Sequence, residues 1–226
     1  MATSRKYSDG CAAAHALNLV GERWGLLVVR ELLLGPKRFT DLRAGLPDIS
    51  PNVLSQRLAE LEAAAVVQRT RLLPPAATWV YELTAWGLDL EPILAALGAW
   101  GARSPALPRD LPLSADSLVL SMRTMFDAAR ARGVQMRVAL QIGDHRFVAT
   151  VGDGALSIAR GHAADADATV AAADPAVLAA IAYDGTALAS AQRDGSVVVT
   201  GKAAVARRFF TLFTLPPPAP AAALAA

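Results

Sequence analysis

The sequence predicts two domains of different build. The first is mainly α with a short β-hairpin; the second is α+β, an antiparallel sheet carrying helices. Three observations point to this. Apolar residues recur at helical spacing up to about residue 64 and again over 85–100, then at period two from Val134 onward. The stretch Arg103–Pro112, RSPALPRDLP, is dense in proline, which biases the preceding residues to extended backbone. All four Trp residues lie before that stretch, as expected of two separately built cores. The expected domains are therefore 9–102 and 114–215, with a linker at 103–113. A low-complexity tail at 216–226 is expected to be disordered.

In chain order, Cys11–Val20 suits a short helix. Glu22–Leu34 is a strongly apolar helix stopped by Gly35-Pro36. Thr40 is placed to cap a short helix, Asp41–Leu46, which ends at Pro47. Ile49–Leu61, ISPNVLSQRLAEL, is the most informative stretch. Ser50 is an N-cap, Pro51 takes the first helical position, and Val53, Leu54, Leu58 and Leu61 form an apolar stripe over a helix 51–64. The other face carries Asn52, Ser55 and Gln56, with Arg57 at its edge. Such short hydrogen-bonding side chains suit a helix whose N-terminal end enters a DNA major groove; an amphipathic core helix is the alternative.

Val66–Leu72 and Trp79–Leu83 read as two strands joined by the turn 73–78. Thr84 caps a last helix, Ala85–Trp100, that contains Pro92. The order of helices, polar-faced helix and hairpin is that of a winged helix-turn-helix. In that arrangement the short helix crosses the DNA backbone, the next helix reads bases, and the hairpin follows phosphates. Arg69 and Arg71 alternate on the first hairpin strand. Either they contact phosphate, or they protect a solvated edge strand.

Hydrophobic residues make up 54% of the 226, enough for two cores, while the formal net charge of +2 says little about partners. Through Gly101, ten basic and ten acidic residues balance, so a basic surface must come from arrangement, as in Pro36-Lys37-Arg38. The start MATSRKYSDG has no apolar signal region, no run reaches membrane-span length, and the one Cys excludes an internal disulfide. A cytoplasmic location without membrane partners is expected. His15, His145 and His162 are scattered, and Asp165 and Asp167 beside His162 form no set with ligand spacing. With no phosphate-binding glycine loop and no nucleophile elbow, neither an enzyme, a metal site nor a cofactor is expected.

LNLVGERWGLLVVRELLLGPKRFTDLRAGLPDISPNVLSQRLAELEAAAVVQRT, followed by YELTAWGLDLEPILAALGAWG, resembles the HxlR-type winged-helix transcriptional regulators over roughly residues 9–101. The likeness rests on the Gly-x-x-Trp helix, Arg-Phe-x-x-Leu, Ile-Ser-x-x-x-Leu-x-x-Arg-Leu and Tyr-x-Leu-Thr-x-x-Gly, in that order. It implies a homodimer on operator DNA, with Ala12–Val20 and Leu90–Trp100 supplying the dimer contact, and a recognition helix at Pro51–Leu61. The residues then expected to face DNA are Thr40, Ser50, Pro51, Asn52, Ser55, Gln56 and Arg57, with Arg69 and Arg71 on the wing. Asn52 departs from the family, which commonly has a basic residue there. Arg57 either meets phosphate or ties the helix to Glu60 or Glu31. Cys11 falls where several family members carry a sensor thiol, for which Arg5, Lys6 and His15 are neighbours that would favour the thiolate; the alternative is a small buried hydrophobe.

In the second half, a helix is expected from Ser114 to Gly133. Alternating strands follow at Val134–Ile142, Phe147–Val151 and around Leu156 and Ile158. Helices at 175–183, 186–193 and 202–213 enclose a short strand at 197–200. The strand set, with Asp167-Ala-Thr-Val170, Asp174-Pro-x-x-Leu178, Asp184-Gly185 and Ala191-x-x-x-Gly195, resembles the sterol-carrier-protein-like domain. That likeness implies an apolar tunnel for a hydrophobic small molecule. Met122, Met125, Phe126, Phe147, Tyr183, Phe209, Phe210 and Phe213 are its candidate lining, or else fill the core. The combined expectation is a dimeric, sequence-specific DNA-binding regulator, a repressor with an effector-sensing domain. The alternatives are a lipid carrier that uses the winged helix only to dimerise, and a redox regulator acting through Cys11.

Overall fold

The computed structural model describes residues 6–108 and 111–220, which divide between Leu94 and Ala95 into two compact units. In the first, α1 (Ala12–Val20), α2 (Gly25–Leu32), α3 (Phe39–Gly45) and α4 (Pro51–Ala63) lead into the hairpin β1 (Val67–Arg71) and β2 (Trp79–Leu83). A short α5 (Ala85–Leu88) follows, and α6 (Glu91–Gly101) runs across the division. Leucines and valines of α2, α3, α4 and both strands form one core, in which Val28, Leu32, Leu42, Leu54, Leu58 and Leu61 are buried. Three members of the expected α4 stripe are therefore fully inside, and Val53 packs on the cluster half-buried.

Several boundaries differ from expectation for local reasons. The apolar helix expected from Glu22 begins only at Gly25, because Trp24 adopts a left-handed backbone with φ 78°. A Cβ at residue 25 would stand 2.7 Å from the Val20 carbonyl, so the close approach of α1's end requires glycine there. Thr40 is not a cap. Asp41 occupies the third helical position and its carboxylate accepts the Arg38 N–H at 3.2 Å, which moves the start of α3 to Phe39 and leaves Thr40 exposed in the first turn. The helix expected over 85–100 is two, since Pro92 has no N–H and its ring collides with a continuous helix; Thr84 caps the first by accepting the Gly87 N–H at 3.0 Å.

The second unit contains α7 (Ala115–Thr124), the strands β3 (Met136–Ile142), β4 (His145–Gly152), β5 (Ala155–Arg160) and β6 (Ala168–Ala172), then α8 (Pro175–Tyr183), α9 (Leu188–Arg193), β7 (Val197–Gly201) and α10 (Ala203–Phe210). It is an α+β domain, as the alternating strands predict. The strand order is β5-β4-β3-β6-β7, and β3 pairs with β6 in parallel, so the sheet is mixed instead of purely antiparallel. The residues 161–167 carry the chain past two strands and set β6 beside β3, a long-range pairing that local alternation does not encode. Met136, Val138, Leu140 and Ile142 point to the covered face with Phe147, Ala149, Val151 and Ile158.

The helix expected over 114–133 stops at Thr124. Phe126 bridges to Phe213, the Asp127 N–H donates to the Leu212 carbonyl at 2.8 Å, and the Asp127 carboxylate takes the Ala129 N–H in a turn. Part of the expected disordered tail is held in place. The Ala219 N–H donates to the Arg103 carbonyl at 2.7 Å, and Arg103 Nε donates to the Pro217 carbonyl at 3.3 Å. Residues 221–226 lie outside the described residues.

Candidate nucleic-acid interface

The polar face of α4 is built by its own sequence. The Ser50 hydroxyl accepts the Val53 N–H at 3.3 Å, and Pro51 starts the helix without a donor to satisfy. Burial of Leu54, Leu58 and Leu61 then fixes the rotation of the helix, which leaves Pro51, Asn52, Ser55 and Gln56 exposed at its N-terminal end. Gln56 Nε2 donates to Glu60 Oε1 at 3.0 Å across one turn. Ser50 is exposed too, but its hydroxyl serves the cap.

Arg57 resolves against phosphate. It is buried, with Nη1 2.8 Å from Glu60 Oε2 and 3.5 Å from Glu22 Oε2, so its charge ties α4 to its own turn and to the segment before α2. Glu31, the other carboxylate expected to hold it, receives Lys37 Nζ at 2.6 Å and Arg30 Nη2 at 2.9 Å. Lys37 is consequently lost from the basic run Pro36-Lys37-Arg38, and only Arg38 of the pair is exposed.

The hairpin is in register Arg69 opposite Tyr81 and Arg71 opposite Trp79, and both arginines are exposed on one face. The Arg69 guanidinium lies 4.7 Å from the centroid of the Trp79 ring and 5.9 Å from that of Tyr81. The two rings thus hold Arg69 in place while its edge faces outward. The sequence reading missed this support, although counting the hairpin pairs outward from the turn would have found it. It also missed Lys37 as a third partner of the wing: the Lys37 N–H donates to the Tyr81 carbonyl at 2.9 Å, and the Lys37 carbonyl accepts the Tyr81 N–H at 2.8 Å.

The other face of the hairpin carries Glu82, whose carboxylate accepts Thr70 Oγ1 at 2.6 Å and Gln68 Nε2 at 2.9 Å. Thr70 first, then Gln68, holds its pKa below the usual carboxylate range. Because the folded pKa is depressed, this contribution to stability is complete above the ordinary Glu value and is lost as pH falls through the lower folded one. Carboxyl NMR titration of Thr70→Val is expected to return the Glu82 midpoint upward; an unchanged midpoint would show that Thr70 is not the cause.

Cys11 is exposed, not the small buried hydrophobe of one sequence reading. It stands at the N-cap of α1, and the N–H groups of Ala13 and then Ala14 lower its thiol pKa, although neither closes a full cap hydrogen bond. The backbone does this, in place of the basic neighbours expected from sequence; Arg5 lies outside the described residues.

Of the eight candidate lining residues, Phe126, Phe209, Phe210 and Phe213 meet in ring contacts with centroids 5.0–6.4 Å apart. Met122 and Met125 are buried on and just after α7. Phe147 lies instead beside His145 and under Arg160, which binds the buried Asp116 carboxylate at 2.5 and 2.6 Å. Tyr183 bonds to Ser121 Oγ at 2.9 Å, and burial pushes its phenol pKa up, more than that bond lowers it. The helix α6 has no buried residue among its eleven, with Ile93, Leu97 and Trp100 all exposed.

Residues 19–106 match the family model described as HxlR-like helix-turn-helix, and residues 104–219 match the one described as alkyl sulfatase C-terminal. The chain is 40% identical over 85 residues to the uncharacterized HTH-type transcriptional regulator YvaP of Bacillus subtilis (strain 168), covering 38% of this chain and 79% of that protein. It is 36% identical over 85 residues to the HTH-type transcriptional regulator YodB of the same organism, covering 38% and 76%. A crystal structure of the HTH-type transcriptional regulator ytcD aligns at 35% identity over 41% of this chain and 94% of that one, with a TM-score of 0.38.

Proposed function

The chain belongs to the HxlR-like helix-turn-helix family through residues 19–106 and to the alkyl sulfatase C-terminal family through residues 104–219, and from this premise we propose that it is a cytoplasmic, homodimeric repressor that binds operator DNA. The observation that carries this is the exposed end of α4, where Asn52, Ser55 and Gln56 stand clear beside a buried stripe that fixes their direction. The dimer places two such helices in successive major grooves, about 34 Å apart. Thr40 on α3 and Arg69 and Arg71 on the wing meet phosphates and set the register. Leu17 on α1 and Ile93 at the start of α6, both apolar and exposed in the first unit, belong to the dimer contact. The C-terminal domain, read as sterol-carrier-like, binds a hydrophobic small molecule among its Met and Phe side chains. That effector acts only if it binds one dimer geometry better than the other.

Selection of genomic fragments by the full-length protein, followed by electrophoretic shift, tests the central claim. A salt-sensitive, sequence-selective complex of two chains per site is expected. Failure to select any sequence would sink it. A second reading is favoured by the exposed, acidified Cys11: oxidation or alkylation of that thiol releases DNA. Cys11→Ser should then keep operator binding and lose its sensitivity to electrophiles, whereas retained sensitivity would exclude the thiol.

A further inference from the structure

The wing ends in an unusual way. Residues 72–77, Leu-Leu-Pro-Pro-Ala-Ala, are apolar and every one is exposed, with Leu73 at 83%. Hairpin turns are ordinarily built from Gly, Asn, Asp and Ser. Here the connection is closed by backbone bonds instead, the Leu72 N–H donating to the Thr78 carbonyl at 2.8 Å and the Ala77 N–H to the Leu73 carbonyl at 3.3 Å. Two consecutive prolines restrict its backbone further. The result is a preorganised apolar protrusion, and contiguous exposed apolar surface of this kind marks a contact site.

Charge decides the partner. Arg69 and Arg71 are exposed at the base of the tip, and 67–81 contains no acidic residue. A second copy docking tip to tip would press its two arginines against these two. A polyanion with an apolar interior fits both features, and α4 in the same unit presents its base-reading side chains. We propose that the wing tip is a wedge for the DNA minor groove: Leu73, backed by Leu72 and Pro74-Pro75, enters at a base step while Arg69 and Arg71 hold the flanking phosphates. Leu and Pro serve as such wedges because they unstack a step without needing a hydrogen-bond partner, and the duplex kinks away from them. Flexible pyrimidine–purine steps are the cheapest to open and are the expected site of entry. The inference rests on the DNA-binding reading above.

The test uses the full-length protein and a selected fragment labelled at both ends with a fluorophore pair. Wild-type protein is expected to shorten the end-to-end distance. Leu73→Ala and the double change Leu72→Ala/Leu73→Ala are expected to keep the sequence preference, lose most of the bend and bind about tenfold more weakly. These side chains are exposed, so their loss removes no core packing. Replacing G·C by inosine·C at the entry step alters only the minor-groove edge and should change wild-type affinity but not that of Leu73→Ala. A variant that bends and binds like wild type overturns the wedge while leaving DNA binding intact. Loss of self-association, or of binding to anionic phosphatidylglycerol vesicles, in place of bending would also overturn it. Absence of any DNA complex with the wild type would instead bring down the DNA-binding reading and the wedge with it.

Discussion

Glu31→Ala is expected to destabilise the first unit by about 3–5 kcal/mol, the largest effect of any single polar change in it. Glu31 is fully buried, and its two oxygens receive Arg30 Nη2 and Lys37 Nζ at 2.9 and 2.6 Å. Removing the carboxylate takes away the charge that stands 2.6 Å from Nζ of Lys37, a cation only 7% exposed. The loss reaches the wing, because Lys37 holds β2 through paired backbone bonds to Tyr81. Gly45→Ala should act through the same group, since a Cβ there would lie 2.2 Å from Glu31 Oε2 and force the side chain from its place. Urea unfolding followed by tryptophan fluorescence reads this unit, which contains Trp24, Trp79 and Trp86. Replacing both Glu31 and Lys37 with Met should cost much less than Glu31→Ala, because no uncompensated charge remains inside. Equal losses for the single and double changes would mean that the pair contributes shape alone.

What the sequence made legible was local. Ser50-Pro51 marks a helix start wherever it occurs before an apolar stripe, so α4 was readable to within a residue, and its exposed face with it. The alternation from Met136 to Ile142 likewise marks a half-covered strand without knowledge of its neighbours. What escaped depended on partners distant in the chain. The tie of Arg57 to Glu60 was one of the readings the sequence left open, but its second partner Glu22, 35 positions earlier, was not visible there, nor was the pairing of Lys37 with buried Glu31. The run from Ser114 kept a helical composition to Gly133, but the Phe126–Phe213 bridge ended the helix early. The parallel place of β6 is of the same kind. Charged residues beside an apolar stripe were the least legible, since one turn of helix decides between solvent and an ion pair.

That distinction shapes the second large effect, on recognition. With Arg57 engaged internally, the base reading proposed for α4 rests on Asn52, Ser55 and Gln56. Asn52→Ala is expected to cost about 1–3 kcal/mol at one operator base pair, with adenine the base that loses preference, since Asn bonds its N6 and N7 edge. Gln56→Ala should cost less, because Gln56 gives up its bond to Glu60 in order to reach a base. Arg69→Ala and Arg71→Ala should behave differently. Each weakens binding to every sequence alike and lowers the magnitude of the salt slope by about one. Quantitative binding to a library of single-base operator variants, repeated at several salt concentrations, separates the two classes. A uniform loss from Asn52→Ala would show that it meets phosphate. Selective loss there, with an unchanged salt slope, is the result expected of a helix that reads adenine through a hydrogen-bonding pair.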